Sequence, residues 1–194
     1  VAPGRVCTDG GEVTAGAVVV ATDPSSAAHL LPDLDVPAGR DVTTWYYLAD
    51  TEPQRLTDGE AILVVDGRRG HGPVINTVVL THAAPTYASD GRVLVSASAL
   101  GLHADAAMEQ RVRAQLAEMY GVGTARWELA GTYPIRYALP AMAVPLDIRR
   151  PVDLGDGLFV AGDHRDTASI QGAVVSGRRT ADAVLARLGL AVAA

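Results

Sequence analysis

Gly162 and Asp163 stand directly after the apolar run Leu158-Phe159-Val160-Ala161, and a long helix-forming segment opens a few residues later at Ser169. A carboxylate at the carboxyl end of a buried strand occupies the crevice in which open α/β sheets bind ligands. The N-terminal N–H groups of the following helix would turn partial positive charge toward that crevice and favour an anion. A carboxylate cannot itself hold a phosphate, but it can accept hydrogen bonds from a sugar or sugar-alcohol hydroxyl. Together the two features point to a cofactor that carries both groups. Taken alone, Asp163 reads equally well as an ordinary cap.

Other chemistries are excluded by what the chain lacks. All 16 basic residues are arginine, so a Schiff-base, P-loop or other catalytic lysine cannot come from this chain. Cys7 is the only thiol, which removes disulfide frameworks and cysteine-based zinc sites. His29, His71, His82, His103 and His164 show no metal-ligand spacing, and there is no G-x-S-x-G elbow, so zinc and serine hydrolases fall as well. With 16 basic against 22 acidic residues the net charge is −6, which argues against nucleic acid as a partner. The longest small-apolar run, Ala15 to Ala21, falls far short of the roughly 20 residues of a transmembrane segment.

Three elements must position Asp163. Ala17 to Ala21 is a Val-rich run of the kind covered on both faces in parallel sheets. Asp23-Pro24 after it reads as an N-cap and first helical residue, opening a short helix to Leu31. Leu158 to Ala161 is a second buried strand, and Ser169 to Leu188 is a helix. Ile170, Ala173, Val174, Gly177, Ala181, Val184, Leu185 and Leu188 follow helical spacing there, which predicts an apolar buried face. Gly172 and Gly177 inside this helix each cost about 1 kcal/mol relative to alanine, which close approach of a sheet or ligand would explain.

The remainder supports these elements. Arg5 to Thr8 and Glu12 to Thr14 form a hairpin around Asp9-Gly10-Gly11. Strand-like runs follow at Thr43 to Ala49, Ile62 to Val65, Val74 to Leu80, Val93 to Ser98 and Trp127 to Leu139. Met108, Val112, Leu116 and Met119 mark one helix, capped by Asp105 and ended by Gly121. Trp45, Tyr46 and Tyr47 point to alternate faces and read first as sheet packing; Tyr137 is the better cavity candidate. His164, Arg165 and Asp166 follow Asp163 closely enough to sit near its ligand but read first as solvated loop, and Arg149-Arg150 and Arg178-Arg179, which could contact a phosphate, read first as solvated charge pairs.

The run from Leu158 to Asp163, followed by Ser169-Ile170-Gln171-Gly172-Ala173-Val174-Val175-Ser176-Gly177-Arg178-Arg179, resembles the C-terminal FAD signature of the flavin amine oxidase superfamily. That group includes protoporphyrinogen oxidases and phytoene-desaturase-like enzymes. The order of the whole chain is similar too, from the Asp9-Gly10-Gly11 hairpin through Val18-Val19-Val20-Ala21-Thr22-Asp23-Pro24 and Tyr137-Ala138-Leu139-Pro140 to the signature. The resemblance implies an α/β fold with an α+β insertion, the C-terminal part of a two-domain FAD-binding fold. Residues 1–35 and 141–194 would be parts of the FAD-binding domain, with a parallel sheet and long helix, and 36–140 a mostly antiparallel substrate-binding domain.

It further implies non-covalent FAD, with Asp163 bonding the ribityl chain, Gly162 admitting the backbone, and Ile170, Gln171, Gly172 and Ala173 at the flavin edge. Two departures matter. No G-x-G-x-x-G is present, since Gly121-Val122-Gly123 is followed by Arg126, so the chain resembles the C-terminal half of a longer enzyme. The amine oxidase branch usually has a lysine near flavin N5, and this lysine-free chain cannot supply it from these regions, which favours the desaturase and protoporphyrinogen-oxidase side. The expected activity is hydride transfer from an apolar or amine substrate to flavin N5, in a cytoplasmic or membrane-peripheral protein. The competing expectation is a non-enzymatic binding module that kept the fold and lost the cofactor.

Overall fold

Residues 1–52, 55–68 and 70–190 are described by the computed structural model, and they fall into two units, Val1–Gly39 with Leu139–Ala194 and Arg40–Ala138. In the first unit, β1 (Arg5–Thr8) pairs antiparallel with β2 (Gly11–Thr14), and Gly11 takes φ 118°, a conformation suited to glycine. β3 (Val18–Val20) pairs in parallel with β9 (Leu158–Val160), register Val18 to Leu158. Val18 and Val20 are buried with Ala27 and Leu31, and β9 is buried throughout. Val19 is exposed, so β3 is covered on one face and not on both, as its apolar run had predicted.

α1 (Pro24–Leu30) starts where the sequence indicates, because the Asp23 carboxylate accepts the N–H groups of Ser25 and Ser26 and Pro24 has no N–H to lose. α4 (Ile170–Arg187) is capped by Ser169, whose hydroxyl accepts the Gly172 N–H at 3.0 Å. Its packing corrects the face expected from apolar spacing. Gly172, Ser176 and Thr180 are the buried residues, while Ile170 and Val174 are 82% and 67% exposed. The buried face is one of small residues and hydroxyls, and each hydroxyl finds a backbone partner: Ser176 at Gly162 and Thr180 at the Val160 carbonyl. Small side chains let the helix lie close to the end of β9, and satisfied hydroxyls make that burial tolerable.

In the second unit a five-stranded sheet has the order β5 (Leu63–Val65), β6 (Val74–Val79), β7 (Val93–Leu100), β4 (Gly39–Ala49), β8 (Glu128–Pro140). The pairs β5 with β6, β6 with β7, and β7 with β4 are antiparallel. Alternation buries Thr43, Trp45, Tyr47 and Ala49 of β4 on the same side as Val93, Val95, Ala97 and Ala99 of β7. α3 (Ala106–Tyr120) closes that side with Val112 and Leu116, starting at its Asp105 cap and ending at left-handed Gly121. α2 (Leu80–Ala83) is a single turn after β6. Tyr46 lies on the other face, edge-on to Tyr133 with ring centroids 5.6 Å apart. No helix among the described residues is long and apolar enough to cross a membrane.

Candidate functional site

The site grows from the carboxyl ends of β3 and β9. The backbone leaves β3 through Ala21 to the Asp23 cap, and leaves β9 through Ala161, whose N–H reaches the Val20 carbonyl at 2.9 Å. Gly162 then adopts φ 150°, and a Cβ there would stand 2.5 Å from the His164 imidazole, so only glycine lets the ring fold back over this position. The Gly162 N–H donates to Ser176 Oγ at 3.0 Å, and the Gly162 carbonyl lies 2.7 Å from the same hydroxyl. α4 therefore holds the strand end in place.

A 3-10 turn follows at Asp163–Arg165. Asp163 is half-buried, and desolvation pushes its carboxyl above the usual carboxylate range against the pull of the backbone N–H groups of His164 and its own residue. His164 is 2% exposed, and neither ring nitrogen has a hydrogen-bond partner. Burial, reinforced by the Arg165 and Arg150 charges, pushes its pKa down to about 4, so the ring is neutral near pH 7. Arg165 is 4% exposed; its guanidinium donates to the carbonyls of Pro151 and Asp35. Arg179 donates to the carbonyls of Arg150 and Arg165 and meets the Asp166 carboxylate at 3.2 Å. Arg150 reaches the Asp35 carboxylate at 3.2 Å. The expected solvated loop at 164–166 is thus largely a buried clamp, and Arg150 and Arg179 are structural donors, while Arg149 and Arg178 stay exposed.

The expected cofactor residues differ in exposure. Gly162 and Asp163 meet at the strand end. Ile170 and Gln171 are exposed at the start of α4, whereas Gly172 is buried and Ala173 half-buried. The N–H groups of Gly172 and Ala173 are taken by the side chain and carbonyl of Ser169, which leaves those of Ile170 and Gln171 as the open donors of the first turn. Gly172 needs no ligand to explain it: an added Cβ would overlap the Thr167 carbonyl oxygen of its own loop. Gly177 has open space at its Cβ position, so close approach explains the first helix glycine and not the second. Tyr137 belongs to the second unit, at φ 52°, with its N–H donating to the Asp41 carboxylate at 2.8 Å. No cluster of three metal-ligating side chains occurs among the described residues.

A family model described as flavin containing amine oxidoreductase matches residues 3–185. The chain belongs to this family. A search of curated proteins found no match to it. Among solved structures it is similar to reduced UDP-galactopyranose mutase, at 11% identity and TM-score 0.65, covering 97% of this chain and 44% of that one. An oxidoreductase from Methanosarcina mazei gives 13% identity and TM-score 0.57 over 90% and 44% of the two chains. Iminodiacetate oxidase from Chelativorans sp. BNC1 gives 14% and 0.55 over 98% and 49%. At such identities the likeness is one of fold, a mixed α/β architecture with parallel and antiparallel sheets. The chain spans less than half the length of each of these three proteins.

His164 is the residue beside Asp163 whose burial the solvated-loop expectation did not anticipate. The only signal was the glycine two residues before it, which the folded ring requires. Its depressed pKa has a measurable consequence. The unfolded ring titrates near 6.5, so stability is complete above that pH and is lost as pH falls toward about 4, by at most about 3 kcal/mol. Thermal melting of the purified protein across this range should show the loss, and His164→Phe should flatten it. Parallel curves for the two proteins would contradict this.

Proposed function

We propose that this chain is the C-terminal part of a longer FAD-dependent oxidoreductase, cytoplasmic or membrane-peripheral, that binds its flavin non-covalently. The observation that carries the reading is the strand-end crevice, where the half-buried Asp163 follows Gly162 in a turn that packs against the 18-residue helix α4. The residues present fit the polar part of a flavin dinucleotide. Asp163 is desolvated and ready to accept from a hydroxyl. The only thiol, Cys7, lies in β1, which supports attachment without a thioether.

When bound, FAD supplies the capacity to take a hydride from substrate at N5. In this chain Asp163 orients the ribityl hydroxyls, and the first-turn donors of Ile170 and Gln171 favour negative charge at the flavin edge. Pro140 at the end of β8 and Ala141 and Met142 just after it line a cavity with Asp163. This chain can contribute no lysine to a proton relay at N5, which supports the phytoene-desaturase and protoporphyrinogen-oxidase side of the family. An apolar or amine substrate suits the open face of the second unit's sheet, where Tyr46, Leu94, Tyr133 and Ile135 line a hollow of about 510 Å³.

The test is anaerobic mixing of the purified full-length protein with oxidisable amines and with polyene or porphyrinogen-type apolar substrates. Bound-flavin absorbance should bleach with one of these classes. A full-length protein that takes up no FAD on reconstitution would instead fit a binding module that kept the fold without the cofactor.

A further inference from the structure

We infer that the hollow on the open face of the second unit's sheet takes an uncharged, largely apolar substrate that carries a hydroxyl or carbonyl oxygen, and that Ser96, with Asn76 beside it, reads this oxygen. The substrate role of this face rests on the flavoprotein reading above. Tyr46, Leu94, Ala130, Tyr133 and Ile135 line the hollow, whose volume is about 510 Å³. Sites for small molecules run from roughly 300 to 1,000 Å³, so a whole substrate can enter it.

Strand register places the two polar residues beside the hollow. Tyr46 of β4 stands opposite Ser96 of β7, and Leu94 lies two residues before Ser96 on the same face. In β6, Val78 is the partner of Ser96 and Asn76 that of Ser98, so Asn76 is the diagonal neighbour of Ser96, within reach of a group bound over it. Thr44 and Ser98 spend their hydroxyls on each other at 2.9 Å. No hydrogen bond among the described residues engages the Ser96 hydroxyl or the Asn76 amide, and both residues are only half-buried, with their polar atoms open to the face. These positions are not a solubilising rim, because the same face leaves Leu63, Val65 and Leu100 at least 60% exposed.

Charge decides between an amine and a neutral molecule. The five strands hold two carboxylates, Asp41 and Glu128. Asp41 accepts the Tyr137 N–H and alternates onto the face of Thr43, and Glu128 is paired with Arg92 at 2.8 Å. The one charged side chain that β4 to β7 bring to the face of the hollow is Arg40, six residues from Tyr46 and so about 20 Å away along β4. An ammonium bound here would give up water and meet no carboxylate. The Tyr46 and Tyr133 rings, edge to face at 5.6 Å, already cover one of the ring faces that could hold a cation. A hydroxyl or carbonyl keeps its hydrogen bond, because the Ser96 hydroxyl both donates and accepts and the Asn76 amide does so through its two ends. A pure hydrocarbon leaves both groups without a partner.

The experiment follows the fluorescence of three probes that share one ring body, 2-naphthylmethanol, 2-naphthylmethylamine and 2-methylnaphthalene, on the full-length protein at pH 7. Wild type should bind the charged amine most weakly of the three. Ser96→Ala should weaken the alcohol about three- to tenfold, the worth of one neutral hydrogen bond, and adding Asn76→Ala should weaken it further, while the hydrocarbon stays within about twofold. Ser96→Thr, which keeps a hydroxyl, should retain the alcohol, and Ser96→Asp should strengthen the amine about tenfold by giving it a carboxylate. Melting of Ser96→Ala should match wild type, because no side-chain hydrogen bond of the protein is removed. An alcohol indifferent to both alanine substitutions, three probes weakened equally, or a wild type that binds the amine as tightly as the alcohol or binds none of them, would overturn the proposal. The probes report with or without FAD, so a protein that takes up no FAD yet shows the Ser96 effect defeats the flavoprotein reading alone, and a flavoprotein without that effect defeats this assignment alone.

Discussion

Gly172→Ala should destabilise the protein by about 2 kcal/mol, and Gly172→Val should prevent the start of α4 from forming, both without any cofactor present. The added Cβ meets the Thr167 carbonyl, a backbone atom fixed by the loop that also carries the Ser169 cap. Overpacking costs about 1–3 kcal/mol and lies at the upper end of that range against a backbone atom, so after the gain of about 1 kcal/mol from better helix propensity about 2 kcal/mol of destabilisation remains. Gly177→Ala is the matched control in the same helix. Its Cβ enters open space, so it should stabilise by up to about 1 kcal/mol. Denaturant unfolding of the two variants, without and with FAD, should separate them by about 3 kcal/mol in both conditions. A Gly172→Ala protein as stable as wild type when cofactor-free would show that the crowding at Thr167 is relieved cheaply. If it then lost only flavin, the flavin-edge role that the family resemblance implies for Gly172 would gain support.

The helix-capping signals were legible because they are local. Asp23-Pro24, Asp105 with Gly121, and Ser169 each act on backbone groups within a few residues, and the helices begin and end at them. The alternation in β4 and β7 was legible for a similar reason, since one covered face imposes a period of two. The orientation of α4 was not. Apolar periodicity assumes that the greasiest stripe is buried, but here Gly172 sits against the Thr167 loop while Ser176 and Thr180 face β9 and its end and spend their hydroxyls on distant carbonyls. The burial of His164 and Arg165 was hidden for a related reason. The partners of Arg165, the Asp35 and Pro151 carbonyls, come from other segments of the chain, and the His164 ring is buried without a hydrogen-bond partner to signal it. A His-Arg-Asp tripeptide in isolation looks solvated.

Asp163→Ala carries the second large effect and bears on the central claim, that the crevice at the carboxyl ends of β3 and β9 holds the flavin. Asp163 sits after the glycine bend, desolvated enough that its carboxyl is pushed upward, and a bound hydroxyl would compensate that desolvation. A hydrogen bond to a charged group contributes about 1.5–3 kcal/mol, which corresponds to a tenfold to hundredfold change in affinity. Removing the carboxylate also removes an unfavourable desolvation, so the cofactor-free protein should melt no lower than wild type near pH 7. The decisive measurement is a titration of cofactor-free full-length protein with FAD, wild type and Asp163→Ala side by side, following flavin fluorescence. The site described here predicts stoichiometric binding by wild type, a dissociation constant tenfold to a hundredfold higher for Asp163→Ala, and melting of the cofactor-free variant no lower than that of cofactor-free wild type. Equal FAD affinity in the two proteins would contradict it and leave Asp163 as a helix-turn carboxylate with no ligand.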